Sequence, residues 1–377
     1  MEKRITGVYE TIGSINYFIP YPLPPQNPSF MMDAEMTQLH ERATKQLEQL
    51  NEVVKHVPSA RRFIKAYVIK EALLSSAIEG IHTTILDVFT QPLTGEHSKE
   101  TQLVVNYTKA LETACTMVIQ DNLPIASRVI LKAHQQLMHI EGDENKATPG
   151  HYRQQAVRVG NLIPTYAAKI PDLMAQLAQF INKDDSVSPL IAAGLAHVQF
   201  ETIHPFLDGN GRVGRLLIVL MLLQSNALSA AVIYPSYYFK KYRYEYYVYL
   251  DRVRTHGDFE GWITYYLTAI EYSCADAYKR IKEIEKLEQH IKAVISSHES
   301  LKVREKIAHQ VLSVLFEFPV ITVAQLSNHI NQDYDRAQDI IRQFIAIDIL
   351  VMQPAAEQQY DERYVFEKYL RVLEDEY

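Results

Sequence analysis

Cysteine is scarce in this chain: its 377 residues hold two, Cys115 and Cys274. They lie far apart and form no metal-type pair, which argues against a disulfide framework. Cationic charge is short as well, with 38 Lys and Arg against 45 Asp and Glu and a formal net charge of −7. No global basic field therefore draws the molecule to nucleic acid. Long apolar runs are missing: the most apolar stretch, Leu216–Leu223, follows directly on Arg212 and Arg215 and is too short to span a bilayer. The first residues, MEKRITGVYETIG, lack an apolar core followed by a small-residue cleavage site, so no secretory leader is expected and the chain is placed in the cytoplasm. No G-x-x-x-x-G-K-S/T loop occurs, which excludes a P-loop ATPase. The histidines, among them His134, His139, His197 and His204, show no metal-ligand spacing, so a structural zinc is not expected. There are no internal repeats and no low-complexity segment. What is present is ordinary for a soluble globular protein of two or three domains, with 47% hydrophobic and 22% charged residues.

Three regions differ in rhythm. Residues 1–35 contain FIPYPLPPQNP, where Pro20, Pro22, Pro24, Pro25 and Pro28 remove backbone donors and fix φ, predicting an extended arm lying on another surface. From 36 to about 295 the pattern is helical. Ser59 is the expected N-cap of a helix over 59–80, ended by Gly80, and further helices are expected near 99–120, 124–140, 171–183, 188–203, 212–225, 239–255 and 258–290. One non-helical island, 150–167, carries Val157, Val159 and the turn pair Gly160-Asn161, predicting a short β-hairpin. The tail over 302–377 reads as helices near 302–316, 322–330 and 334–347, then strands at 349–353 and 364–366, the order of a winged helix-turn-helix. The fold class expected is mainly α.

The chemistry concentrates in His204–Arg215, HPFLDGNGRVGR, between two apolar helical runs. Gly209, Asn210 and Gly211 break regular structure where the second helix opens. Backbone amides at such a helix N-terminus form a donor cluster that the helix dipole makes positive. Arg212 and Arg215 are one turn apart, so both can reach one anion. They would repel beside a glycine turn unless an anion or a carboxylate lay between them. Asp208 is a hard oxygen ligand suited to a magnesium ion held chiefly by phosphate oxygens. His204 can accept a proton from a hydroxyl near neutral pH. Gly209, Gly211 and Gly214 also satisfy G-x-G-x-x-G. That dinucleotide reading fails, because a helix precedes the loop and 226–238 hold no acidic residue.

HPFLDGNGRVGR resembles the Fic signature HPFx(D/E)GNGRxxR at every fixed position. The proline-rich arm, helical core and winged-helix tail are similar to a common bacterial Fic architecture. The resemblance implies transfer of AMP from Mg·ATP to a Ser, Thr or Tyr hydroxyl of a target protein. It would make His204 the base, Asp208 the magnesium ligand and Arg215 the γ-phosphate holder. Gly209, Asn210, Gly211, Arg212, Val213 and Gly214 would cradle the phosphates. Ser75-Ser-Ala-Ile-Glu79-Gly80 looks like the family's inhibitory S/T-x-x-x-E-G/N motif. Ser75 and Glu79 are one turn apart at a helix C-terminus, where the dipole leaves a carboxylate in want of a cation. The expectation is that Glu79 pairs with Arg215 and holds the site off. The island at 153–165 looks like the family's flap, which aligns a target segment by strand addition.

Two further nucleotide contacts are weaker expectations. Tyr242 stands where relatives commonly carry Asn and lies within a run of eight tyrosines, Tyr234–Tyr249, that at helical spacing reads first as core. Gln199 lies a turn and a half before His204. The rival function is a winged-helix DNA-binding regulator. Residues 302–377 hold eight basic against thirteen acidic side chains, and the expected recognition helix carries four aspartates, so the tail reads instead as a protein–protein or homodimer module and DNA is not the expected partner. Within the enzyme class, a donor other than ATP, or removal of AMP with Glu79 as base, are the alternatives.

Overall fold

The computed structural model describes residues 4–56, 60–94, 98–140, 148–183, 187–353 and 362–374. The chain opens on a β-hairpin, β1 Gly7–Ile12 and β2 Ile15–Pro20, in antiparallel register from Gly7 opposite Pro20 to Ile12 opposite Ile15. The extended arm expected over 1–35 is therefore half hairpin. Its prolines begin only where β2 ends, and Gly13 supplies the left-handed turn residue at φ 63. Gly7 must be glycine, since a Cβ would stand 2.3 Å from the Ile19 carbonyl oxygen.

The body follows as α1 Ala34–His56, α2 Ala60–Ile78, α3 Ile85–Thr94, α4 Lys99–Cys115, α5 Ser127–Met138, α6 Ile170–Lys183, α7 Pro189–Ile203, α8 Asn210–Gln224, α9 Ser236–Lys241, α10 Arg243–His256 and α11 Phe259–Ser297. Asp33 caps α1 by accepting from the Met36 amide at 2.8 Å. The expected cap of α2, Ser59, lies outside the described residues. Helices α7 and α8 form the centre. Every residue from Leu190 to Ile203 is buried, as is every residue from Arg212 to Leu223. A helix apolar on all sides belongs in the middle of a bundle. Gly194 lets α11 approach α7, with the Trp262 indole donating to the Gly194 carbonyl at 2.8 Å.

Three expectations change. The single helix over 239–255 is two, because Tyr242 leaves helical geometry at φ −113, ψ 49 while its carbonyl accepts from the Tyr265 hydroxyl at 3.2 Å. The helix at 258–290 runs on to Ser297, and α3 was not expected. The hairpin over 150–167 shrinks to one turn, in which Val159 and Leu162 exchange both backbone hydrogen bonds, at 2.9 and 3.0 Å. Beyond that turn the segment pairs with β2 instead of itself: the Phe18 amide donates to the Ile163 carbonyl at 2.9 Å.

The tail continues with α12 Glu299–Lys302, α13 Glu305–Glu317, β3 Val320–Ile321, α14 Val323–Ile330, α15 Tyr334–Ala346, β4 Val351–Gln353, β5 Arg363–Val365 and α16 Glu367–Glu374. Its sheet has three strands in the order β3-β5-β4, one more than expected. Thr322 and Gln325 form a capping box that starts α14. The tail is docked on the body through α16, whose C-terminal carbonyls take buried cations: Lys70 of α2 donates to Leu373 at 2.5 Å and Arg280 of α11 to Val372. Among the described residues, no helix is long and apolar enough to cross a membrane.

Candidate active site

The loop between α7 and α8 is shaped before any ligand is considered. His204 ends α7 in the left-handed region, φ 51 and ψ 62, which turns the chain sharply out of the helix. Phe206 then plunges into the core, fully buried and stacked on the His134 ring at 3.7 Å between centroids and 4° between planes. Asn210 closes the turn. Its Oδ1 accepts from the Phe206 amide and its Nδ2 donates to the Phe206 carbonyl, both at 2.9 Å. The side chain expected to contact phosphate is thus spent on the loop itself; what remains to face an anion there is backbone. Gly209, at φ 79, sits against Met138 where a Cβ would be 2.9 Å from its sulfur.

His134 shows how the loop is held from behind. The Gly150 amide donates to its Nδ1 at 2.9 Å, so Nε2 carries the hydrogen and donates to the Asp208 carbonyl at 3.1 Å. Burial pushes its pKa down to about 4, which keeps that one tautomer at neutral pH. Nothing in the sequence spacing pointed to this role.

The two arginines of the loop are buried, each about 1% exposed. Nε and Nη1 of Arg212 have no hydrogen-bond partner, and its Nη2 meets only the Met138 sulfur at 3.4 Å and Asp208 Oδ1 at 3.6 Å. Burial lowers its pKa, with Asp208 and Glu79 acting against that shift. Arg215 is better supplied. Its Nε donates to the Ser75 hydroxyl and its Nη2 to the Ser75 carbonyl, both at 2.8 Å, and Nη2 also meets Glu79 Oε1 at 2.7 Å. Nη1 is left without a partner. Glu79 reaches this position because α2 ends at Ile78 and Gly80 turns the chain at φ 81. Its Oε1 lies 2.2 Å from where a Gly211 Cβ would stand, directly over the N-terminal turn of α8. The N-terminal end of the helix is thus covered by a carboxyl group from its own chain.

His204 presents its imidazole beside this cradle. The ring is 19% exposed, its Nδ1 lies 3.9 Å from Glu201 Oε2, and Nδ1 has no hydrogen-bond partner. Burial foremost, then the charges of Arg254 and Arg153, pushes the pKa down to about 3, so the ring is neutral and able to accept a proton at physiological pH. Glu201 is itself buried, its pKa raised by burial to about 7.

Asp208 is the exposed member, 65% open to solvent. Among the described residues no group of three or more His, Cys, Asp or Glu could hold a metal unaided. A single open carboxylate beside two partly unpaired arginines fits a magnesium ion whose other ligands are phosphate oxygens and water. Gln199 does not join the site: its Nε2 donates to the Tyr21 carbonyl at 2.8 Å and ties α7 to the arm. Tyr242 belongs to a tyrosine cluster, its ring 4.5 Å from Tyr238. Val213 is a core residue of α8 at 1% exposure, and Gly214 leaves room for Glu201, whose Oε1 would lie 2.6 Å from a Cβ there.

Comparison with known proteins bears on this geometry. Residues 124–222 match the Fic/DOC family, and residues 37–116 match the Fic/DOC family N-terminal region. The first match holds the loop His204–Arg215 and the second holds Ser75 and Glu79, so the two halves of the contact at Arg215 come from separate matched segments. Among relatives, a protein adenylyltransferase Fic from Nematostella vectensis is 27% identical over 228 residues, 58% of this chain and 50% of that protein. One of the same name from Drosophila grimshawi is 32% identical over 146 residues, 38% of this chain and 28% of that protein. The chain spans half or less of the length of these curated relatives. A Fic family protein of known structure from Desulfovibrio desulfuricans G20 superposes with a TM-score of 0.55 at 21% identity, covering 89% of this chain and 97% of the other, which establishes likeness of fold.

Proposed function

We propose that the Fic domain transfers AMP from Mg·ATP to a hydroxyl group of a protein side chain, and that Glu79 restrains this activity. One observation carries the reading. Buried guanidinium hydrogens of Arg212 and Arg215 lie without partners beside a helix N-terminus, and the carboxylate that covers that terminus comes from the chain itself. A polyphosphate supplies what those donors lack.

In this reading the amides of Gly209–Gly211 and the Arg212 side chain receive the α- and β-phosphates, and Arg215 receives the γ-phosphate. Asp208 would hold a magnesium ion, whose charge would neutralise phosphate oxygens. His204 takes the proton of the attacking hydroxyl. The oxygen forms its bond to the α-phosphorus as the bond from that phosphorus to the bridging oxygen breaks, and pyrophosphate leaves with its electron pair. The protein needs little beyond positioning and charge neutralisation for such a displacement. With Glu79 on Arg215, the γ-phosphate meets a carboxylate instead of a free cation, and the nucleotide is held off the in-line pose.

The test is incorporation of label from α-labelled ATP by the wild-type chain, Glu79→Gly and Glu79→Gly/His204→Ala, with mass spectrometry of the product. Transfer by the single variant, lost in the double variant, with an added AMP moiety on the protein, is the expected result. Equal transfer by all three would overturn the assignment, and a UMP or phosphocholine adduct formed when UTP or CDP-choline is supplied in place of ATP would reassign the donor.

A further inference from the structure

Arg153 is fully buried, and every hydrogen bond its guanidinium makes is to a backbone carbonyl. Nε donates to His204 at 2.7 Å, Nη1 to Gln155 at 3.0 Å, and Nη2 to Thr165 at 2.5 Å and Ile203 at 3.4 Å. Its own amide donates to the Pro205 carbonyl at 2.9 Å. Burying a guanidinium without a carboxylate is costly, and packing alone does not call for it. The acceptors explain the arrangement. Ile203 and His204 are the last carbonyls of α7, where the helix dipole is negative and no intrahelical donor is available. Gln155 and Thr165 lie on either side of the Val159–Leu162 turn, whose chain goes on to pair with Phe18 of β2.

His204 needs such support. Its left-handed backbone is strained for a non-glycine residue and persists only where the surroundings impose it. The charged groups that face its ring are Glu201 from α7, Arg254 from α10 and Arg153 itself. Arg254 holds the same helix end one residue pair earlier, donating to the Glu201 carbonyl at 2.9 Å and to the Thr202 hydroxyl at 3.3 Å. Among the described residues, Arg153 alone grips the carbonyl of His204 and the 155–165 segment at once.

We propose that Arg153 is a positioning residue for His204: by binding the carbonyls of Ile203 and His204 it fixes the imidazole in its left-handed pose, and through Gln155 and Thr165 it couples that pose to the segment carrying the Val159–Leu162 turn. The proposal rests on His204 as the base in the proposed reaction, and no contact of Arg153 with nucleotide is part of it. Loss of Arg153 thus lowers turnover while leaving ATP binding nearly intact, since misplacing a reacting group by about 1 Å costs on the order of 100-fold in rate.

The experiment uses full-length Glu79→Gly as parent, with Arg153→Met and Arg153→Lys added singly. Label transfer is measured against ATP concentration. The His204 ring resonance, identified by its disappearance in His204→Ala, is followed by NMR. For Arg153→Met the expected result is kcat down by roughly 100-fold, KM for ATP little changed, and a displaced His204 resonance. Arg153→Lys keeps the charge and the fold but offers one nitrogen in place of a planar fork. It is expected to show an intermediate kcat and an intermediate displacement, and it carries the test if the methionine variant does not fold. Parent kcat and parent resonance in Arg153→Lys overturn the proposal, as does a fall in kcat with an unmoved resonance. If the parent itself transfers no label, the functional reading fails, and the His204 resonance still decides whether Arg153 positions the ring.

Discussion

Arg215 has two calls on its guanidinium, and its surroundings settle which is met in the resting chain. Ser75 holds two of its nitrogens from one side, and Glu79 sits at 2.7 Å on the same nitrogen as the Ser75 carbonyl. Removing the carboxylate leaves both Ser75 contacts in place, so Arg215 keeps its position and gains freedom to bind an anion. Glu79→Gly is expected to raise auto-labelling by at least about tenfold, the effect of roughly 1.4 kcal/mol of relieved competition, read as label incorporated per minute at fixed ATP. Unchanged incorporation would reject autoinhibition. A second expectation concerns pH. As the proposed base His204 must act as the neutral ring, and the folded protein depresses its pKa from the ordinary 6.5 to about 3. Protonation therefore sets in well below pH 6, and the activity of Glu79→Gly should show no acid limb centred near 6.5 that belongs to this imidazole. Glu201 and Glu71, both pushed up to about 7 by burial and both within the field of Arg215, are able to mimic such a limb. A limb that survives in both Glu201→Gln and Glu71→Gln would show that the His204 ring is solvated.

At the scale of elements, the centre of the site depends on how closely α7, α8 and α11 pack. Gly194 is the contact point: a Cβ there would stand 2.7 Å from the Tyr266 ring and 2.8 Å from Ile263, both on α11. A ring buried against a helix cannot give way as the tip of a flexible chain can. Gly194→Ala is expected to destabilise the fold by about 1–3 kcal/mol through overpacking, seen as a lower urea midpoint with an unchanged slope. A midpoint at or above that of the wild type would show that α11 can step back. The break between α9 and α10 has the same origin in packing. Tyr242 keeps helical hydrogen bonds on both sides, its amide donating to Tyr238 and its carbonyl accepting from Tyr246, yet its backbone departs to φ −113, ψ 49 where the same carbonyl also accepts from Tyr265 of α11. The turn at 160–161 was legible as a turn because Gly-Asn tolerates positive φ. The hairpin expected around it stops after one bonded pair, because Pro164, next in line to pair with Val157, has no N–H to donate, and the outward-facing carbonyl of Ile163 accepts from Phe18, far away in the sequence.

On the scale of the whole molecule, the tail and α2 are mechanically joined. Lys70 on α2 is 3% exposed and donates to the Leu373 carbonyl, nine residues before Glu79, while Arg280 of α11 holds the neighbouring carbonyl of Val372. Lys70→Met removes a charge-assisted hydrogen bond and leaves a buried carbonyl without its donor, a loss on the order of 1–3 kcal/mol. A drop in thermal midpoint is the expected outcome, and a midpoint equal to that of the wild type would mean that α16 contributes no stability to α2. The charge of the tail bears on partners. With eight basic against thirteen acidic residues over 302–377, it offers few cations to displace counterions from a duplex. A gel shift with random-sequence duplex at low salt is expected to show no complex; a shifted band would reinstate the DNA-binding reading.

What the sequence by itself determined is whatever lies within a helix turn or two along the chain: the donor-rich loop His204–Arg215, the end of α2 at Gly80, and the helical character of most of the body. These follow from backbone sterics, capping and periodicity, which need no distant partner. The tertiary structure alone decided what each polar side chain does once there. It added Ser75 to the Glu79–Arg215 pair that the family resemblance had implied, turned Asn210 inward onto Phe206, gave Gln199 to the arm, and set Arg153 beneath His204. The physical reason is burial: a side chain removed from water must find a partner wherever the fold puts one, and that choice is made in space and not along the chain.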